Sequence, residues 1–230
     1  MEPVLDDRRT RKRASKKIVK DLVDQSDIDA LVDLAFDDRR TMRFMQRLLY
    51  TPSDDIRWHV AWVIGSVAAR VSTREPGQVS ELLHRLFEST LDSAAAPWGM
   101  IETMGYVIAK RPDIFGAFAR HLLNLLGEPS TEMQIIWGLG EIAKTRPDLI
   151  RATPFYNLFH FLQHPLPLMR GLVARLMGNL QATEVTTQLM SLFDDNESIR
   201  ICEEGQMVDT TVADEAKKAL AAIRQGEKNE

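Results

Sequence analysis

The chain has 230 residues, 44% of them hydrophobic and 27% charged, with a formal net charge of −4. That is enough apolar material to exclude wholesale disorder, and the length suits one core or an elongated array better than two catalytic domains. One cysteine, Cys202, excludes an internal disulfide and a cysteine-rich zinc site, so a reducing, cytoplasmic setting is expected.

Charge is unevenly placed. Residues 1–20 hold eight of the 29 Lys/Arg and three of the 33 Asp/Glu, a leader of +5 that leaves −9 for 21–230. The run Arg8-Arg9-Thr10-Arg11-Lys12-Arg13-Ala14-Ser15-Lys16-Lys17 reads as a flexible basic leader over 1–20, ahead of a single domain over 21–230. It could hold nucleic-acid phosphates, although no aromatic is interleaved for base stacking, or it could lie solvated against the acidic body. Asp21, Asp24, Asp27 and Asp29 follow, where a signal peptide would carry an apolar core. The longest uncharged stretch, Ala152 to Met169, contains Pro154, Pro165, Pro167, His160 and His164, a poor membrane span.

Beyond the leader, Asp27–Phe36 and Arg39–Tyr50 read as a helical pair. Four later segments align on a glycine: Gly65, Gly105, Gly140 and Gly178, spaced 40, 35 and 38 residues apart. Around each, positions −5, −4, −1 and +2 are apolar and form one stripe of a helix. Glycine costs a helix roughly 1 kcal/mol against alanine, so its recurrence predicts helices packed too closely for a β-carbon. A weaker copy ends at Leu220-Ala221-Ala222-Ile223. Partner helices lie between: Gln78–Leu91, then one opened by Arg111-Pro112-Asp113 and another by Arg146-Pro147-Asp148. Proline in a first turn loses no donor, and the neighbouring acid complements the helix dipole. Ser198–Cys202 and Gln206–Thr210 flank Glu203-Glu204-Gly205 as a short hairpin, with Thr210 or Thr211 capping a last helix, Val212–Ile223.

Repeats of this length predict an all-α fold, an α-α superhelix of about five two-helix units with a short C-terminal β-hairpin. Ile56-Arg57, Ala61 and Ile64-Gly65-Ser66-Val67 resemble the second helix of a HEAT repeat. The likeness runs over roughly 37–224 and is greatest to the HEAT-like repeats first named from phycobilisome lyases. With Trp137-Gly138-Leu139-Gly140, Arg170-Gly171 and Glu204-Gly205, the chain is similar to bacterial HEAT-like proteins. Pro97 and Glu132 depart from the pattern, standing where Arg57 and Arg170 keep its arginine. The resemblance implies a HEAT/armadillo-like right-handed solenoid that acts as a protein-binding platform; lyase activity does not follow from it.

In such a stack the second helices line the concave surface. Positions −7, −3 and +1 from each anchor share one face there: Trp58/Trp62/Ser66, Trp98/Glu102/Tyr106, Met133/Trp137/Glu141 and Gly171/Arg175/Asn179. All four tryptophans fall on it. An aromatic groove with Glu102, Glu141 and Arg175 suits a cationic or amphipathic ligand or a partner helix, while the same aromatics could simply pack between repeats. A non-enzymatic scaffold for a protein or peptide is the favoured expectation. A DNA-binding or DNA-repair protein, like the HEAT-like alkylpurine glycosylases, comes second because the body is acidic and Arg175 is the stripe's sole cation. A regulatory subunit or assembly chaperone of a larger enzyme is the third reading. No catalytic motif, cofactor or metal is indicated: His160 and His164 are four apart without a further ligand, and Cys202 reads as a small buried hydrophobe.

Overall fold

A computed structural model describes residues 11–91 and 99–228. Part of the expected leader is folded. Ser15 caps α1 (Lys16–Asp24) by accepting from the Ile18 amide, and Val19 and Val23 are fully buried. The Lys12 and Ala14 amides donate to the carboxylates of Asp37 and Asp38 at 3.1 and 3.0 Å. Residues 12–20 are thus packed against the body, because the apolar residues at 19 and 23 give this helix a face to bury.

The helical pair follows as α2 (Ile28–Asp37) and α3 (Arg40–Leu48). The glycine-anchored segments are α4 (Asp54–Val71), α6 (Met100–Lys110), α9 (Glu132–Ala143) and α11 (Pro167–Asn179), and the last helix is α13 (Val212–Gly226). These five stack in sequence, each against the next. Their partners are α5 (Pro76–Leu91); α7 (Pro112–Phe115) and α8 (Ala119–Asn124), joined by a 3-10 turn; α10 (Pro147–Arg151) with a 3-10 stretch over Phe155–Gln163; and α12 (Thr186–Ser191). The two stretches opened by Arg-Pro-Asp are thus broken rather than continuous. Arg111 and Arg146 each grip the aspartate two residues on through two hydrogen bonds of 2.6–2.9 Å. Arg111 also reaches back to the Ala69 carbonyl at 3.1 Å, satisfying an orphan acceptor near the end of α4.

Close approach explains three of the four anchors. A β-carbon on Gly65 would lie 2.5 Å from that of Tyr106, one on Gly105 2.9 Å from the Gly138 backbone, and one on Gly178 2.6 Å from the Ala219 backbone. Gly140 meets nothing within 4 Å. In the third unit the backbone that crowds Gly105 is that of Gly138, two residues before the aligned anchor, although a β-carbon on Gly138 itself would make only ordinary contact at 3.5 Å.

After α12 the chain forms β1 (Ser198–Glu203) and β2 (Gln206–Thr211), antiparallel from Ser198↔Thr211 to Glu203↔Gln206. Glu204 and Gly205 have φ of 46° and 78°, the left-handed pair a two-residue hairpin turn requires. Thr211 then caps α13 by accepting from the Asp214 amide at 3.1 Å. Among the described residues no helix is long and apolar enough to cross a membrane.

Candidate functional site

Ile199 and Ile201 alternate along β1 and need an apolar surface, and they find it against the stacked helices. β1 packs on α11, with Ile199 over Gly171, while β2 touches α4 and α13. The hairpin thus sits on the stripe that the sequence marked as a groove. The Trp137 indole donates to the Cys202 carbonyl at 3.0 Å. The Tyr106 hydroxyl accepts from the Gly205 amide at 3.0 Å and lies 3.3 Å from the Cys202 thiol. At the tip, the Trp62 indole donates to the Glu204 carboxylate at 2.8 Å, with Lys110 at 3.7 Å from the same group.

The aromatic side chains also meet each other. Trp137 has its ring centroid 4.4 Å from that of Trp58 and 4.8 Å from that of Tyr106, both edge to face. Trp137 and Tyr106 are buried, whereas Trp58 and Trp62 are half-buried. Arg175 is held between Glu203 at 3.0 Å and Glu141 at 3.3 Å, and Lys144 closes on Glu141 at 2.6 Å. Asn179 donates to the Gly140 carbonyl at 3.0 Å. Arg200 on β1 reaches Asp55 on α4 at 3.2 Å. Of the stripe residues, Trp98 lies outside the described residues.

Beneath the hairpin is a cavity of about 160 Å³, with Trp58, Met133, Trp137, Leu172 and Met207 in its lining. Two buried oxygens in the same lining make no hydrogen bond, Glu102 Oε2 and Gln134 Oε1. Burial pushes the Glu102 carboxyl up to about 7, against a pull the other way from the nearby Arg57 charge. Burial likewise raises the Cys202 thiol to about 11 and lifts the Tyr106 phenol well above its ordinary value. Glu204 moves the other way, lowered chiefly by the Trp62 hydrogen bond. Cys202 is thus buried and held largely as the neutral thiol at ordinary pH.

The stripe's periodicity does not reveal the hairpin that covers it: Cys202, Glu203, Glu204 and Gly205 join the site, together with Gln134 on α9. The visible signal was the pair Ile199 and Ile201, which a free two-stranded ribbon could not bury. The two histidines lie apart from this face. His160 Nδ1 is 2.7 Å from the Asn157 carbonyl, and His164 accepts from the Leu166 amide at 3.1 Å.

The architecture is a helical repeat solenoid of the HEAT/armadillo-like class. No protein-family model and no curated protein matches the sequence. Among solved structures, the fold is similar to an engineered protein at 15% identity and TM-score 0.58, covering 92% of this chain and 90% of that one. It is also similar to a designed armadillo-repeat protein in complex with the peptide (KR)4, at 16% identity and TM-score 0.55, covering 90% and 92%.

Proposed function

We propose that the chain is a non-enzymatic HEAT-like scaffold that binds a protein or peptide on its concave face. The observation that carries this reading is how that face holds the hairpin. An indole hydrogen-bonds the backbone of an extended strand, a phenol that of the turn after it, and charged side chains engage the carboxylates, which is the chemistry of peptide recognition carried out on the chain's own segment. The designed neighbour that holds a peptide supports the same use of the fold. With β1 seated on the groove floor, the surface open to a partner is β2 and the rim of α4. Val208 on β2 and Ile56 in the first turn of α4 are 43% and 52% exposed, and Ile56 adjoins the Asp55–Arg200 bridge. Apolar anchors ringed by charge suit a protein contact.

Affinity capture from native lysate, with the wild-type chain and an Ile56→Asp/Val208→Asp variant as baits, tests the reading. The expected result is a protein retained by the first bait and lost from the second. Co-purification of nucleic acid instead, or an identical set of proteins on both baits, overturns it.

A further inference from the structure

A second surface, at the opposite end of the chain from the hairpin, has unspent chemistry. Between α3 and α5 lies a cleft of about 230 Å³ with Arg39, Arg40, Arg43, Gln78, Glu81 and Arg85 in its lining. Four guanidiniums converge there in a body that is acidic overall. Three of them are matched: Arg39 with Glu75 at 3.2 Å, Arg40 with Asp38 at 2.7 Å, and Arg85 with Glu81 at 2.7 Å. Arg43 makes no hydrogen bond or ion pair with the described residues, and it faces Arg85 closely enough that its charge disfavours the protonated form there, adding to the larger effect of burial. Beneath them Gln78 is only 7% exposed, and both its amide nitrogen and its amide oxygen are without a partner. A buried amide left in that state is destabilising, and so are two like charges brought together. A single anion between the two arginines offsets the like charges and gives the amide nitrogen an acceptor.

We infer that this cleft binds a phosphate-type oxyanion, a phosphoryl or diphosphoryl group of a small molecule, held by Arg43 and Arg85 with the Gln78 amide as a further donor. The unmatched guanidinium, its half-buried neighbour and the amide offer more N–H donors than the two oxygens of a carboxylate accept, whereas a phosphoryl group presents three oxygens and up to two charges. The volume exceeds one phosphate and leaves room for a second. Arg43 is exposed and the arginine stems are long and jointed, so they can draw aside to let the anion reach the amide. Nothing in this site depends on the concave face or on the partner reading given to it.

Calorimetric titration of the full chain with inorganic phosphate, inorganic pyrophosphate and acetate, in a phosphate-free buffer of low ionic strength, tests the inference. Saturable binding of phosphate or pyrophosphate but not acetate is expected. Arg43→Gln, at an exposed position that spares the fold, should weaken it by about tenfold or more, the worth of one charge-assisted hydrogen-bond set. Gln78→Met should weaken binding while raising the melting temperature, since it removes an orphaned amide; a merely structural Gln78 would not separate the two readouts. Lys217→Gln/Arg224→Gln, on α13 at the far end of the stack, should change affinity by less than about twofold, as exposed charges at a distance are screened. Absence of saturable heat, wild-type affinity in Arg43→Gln, or a loss that follows Lys217→Gln/Arg224→Gln instead, overturns the assignment.

Discussion

Glu102 lets burial be read as pH dependence. Its side chain is 4% exposed, Oε2 has no partner, and burial holds the carboxyl at about 7 in the fold against 4.5 for an ordinary glutamate. Between those two values the folded protein keeps a proton that the unfolded chain has released. The contribution of Glu102 to stability is therefore most favourable below pH 4.5, falls as pH rises from 4.5 to 7, and levels off above that. Each pKa unit is worth 1.36 kcal/mol, so the full cost of ionising Glu102 in place is about 3 kcal/mol at pH 8. Glutamine keeps the shape and removes the charge. Glu102→Gln should thus stabilise the protein by about 3 kcal/mol at pH 8 and by little at pH 4.5, where both side chains are neutral. Urea unfolding of both proteins at pH 4.5, 6, 7 and 8 measures the difference. A gap that stays constant across the series refutes the reasoning. So does a variant less stable than wild type at pH 8, which would make the Glu102 carboxylate a net ionic partner of Arg57.

Three further perturbations separate the contacts. Gly178→Ala pushes a methyl into the α13 backbone and should destabilise by about 1–3 kcal/mol, whereas Gly140→Ala meets open space and should stabilise by up to about 1 kcal/mol; thermal melts of the pair distinguish a contact glycine from a merely aligned one. Tyr106→Phe strips the acceptor from the buried Gly205 amide, with an expected loss of about 1–3 kcal/mol and faster hydrogen exchange at that amide. Cys202, with its thiol at about 11 and buried, should resist iodoacetamide at pH 8 in the wild type and react faster in Tyr106→Phe. Equal labelling rates in the two proteins would show that the hairpin stays seated without its phenol.

The stack was legible because its cause is local. Apolar offsets around Gly65, Gly105 and Gly178 repeat within single helices, and the proline at the head of α7 and α10 announces each start. The misplaced third anchor has an equally simple origin: Trp137-Gly138-Leu139-Gly140 offers two glycines, and only the neighbouring helix decides which one it touches. The same limit applies to the site. The stripe includes Trp58, Tyr106 and Trp137, whose rings meet, and the turn at Glu204-Gly205 was visible as a hairpin. Their union was not visible, because the Trp62–Glu204 and Trp137–Cys202 hydrogen bonds span 142 and 65 residues of chain and no local pattern encodes them. Ser15 as a helix cap, with Val19 and Val23 beneath it, was obscured by the surrounding lysines and arginines.

An open helical array melts from its ends, one unit at a time, since each unit touches only its neighbours. The hairpin turns this array into a loop. Residues 204 and 205 are fastened to residues 62 and 106, so losing the last unit also unlatches the second, and the protein should unfold as one body rather than fray. The closure also has an order in time. During synthesis Trp58, Trp62 and Trp137 are made well before the strand that covers them. Until residue 205 has emerged, the nascent chain carries an uncovered aromatic trough, the stage at which it is most exposed to aggregation.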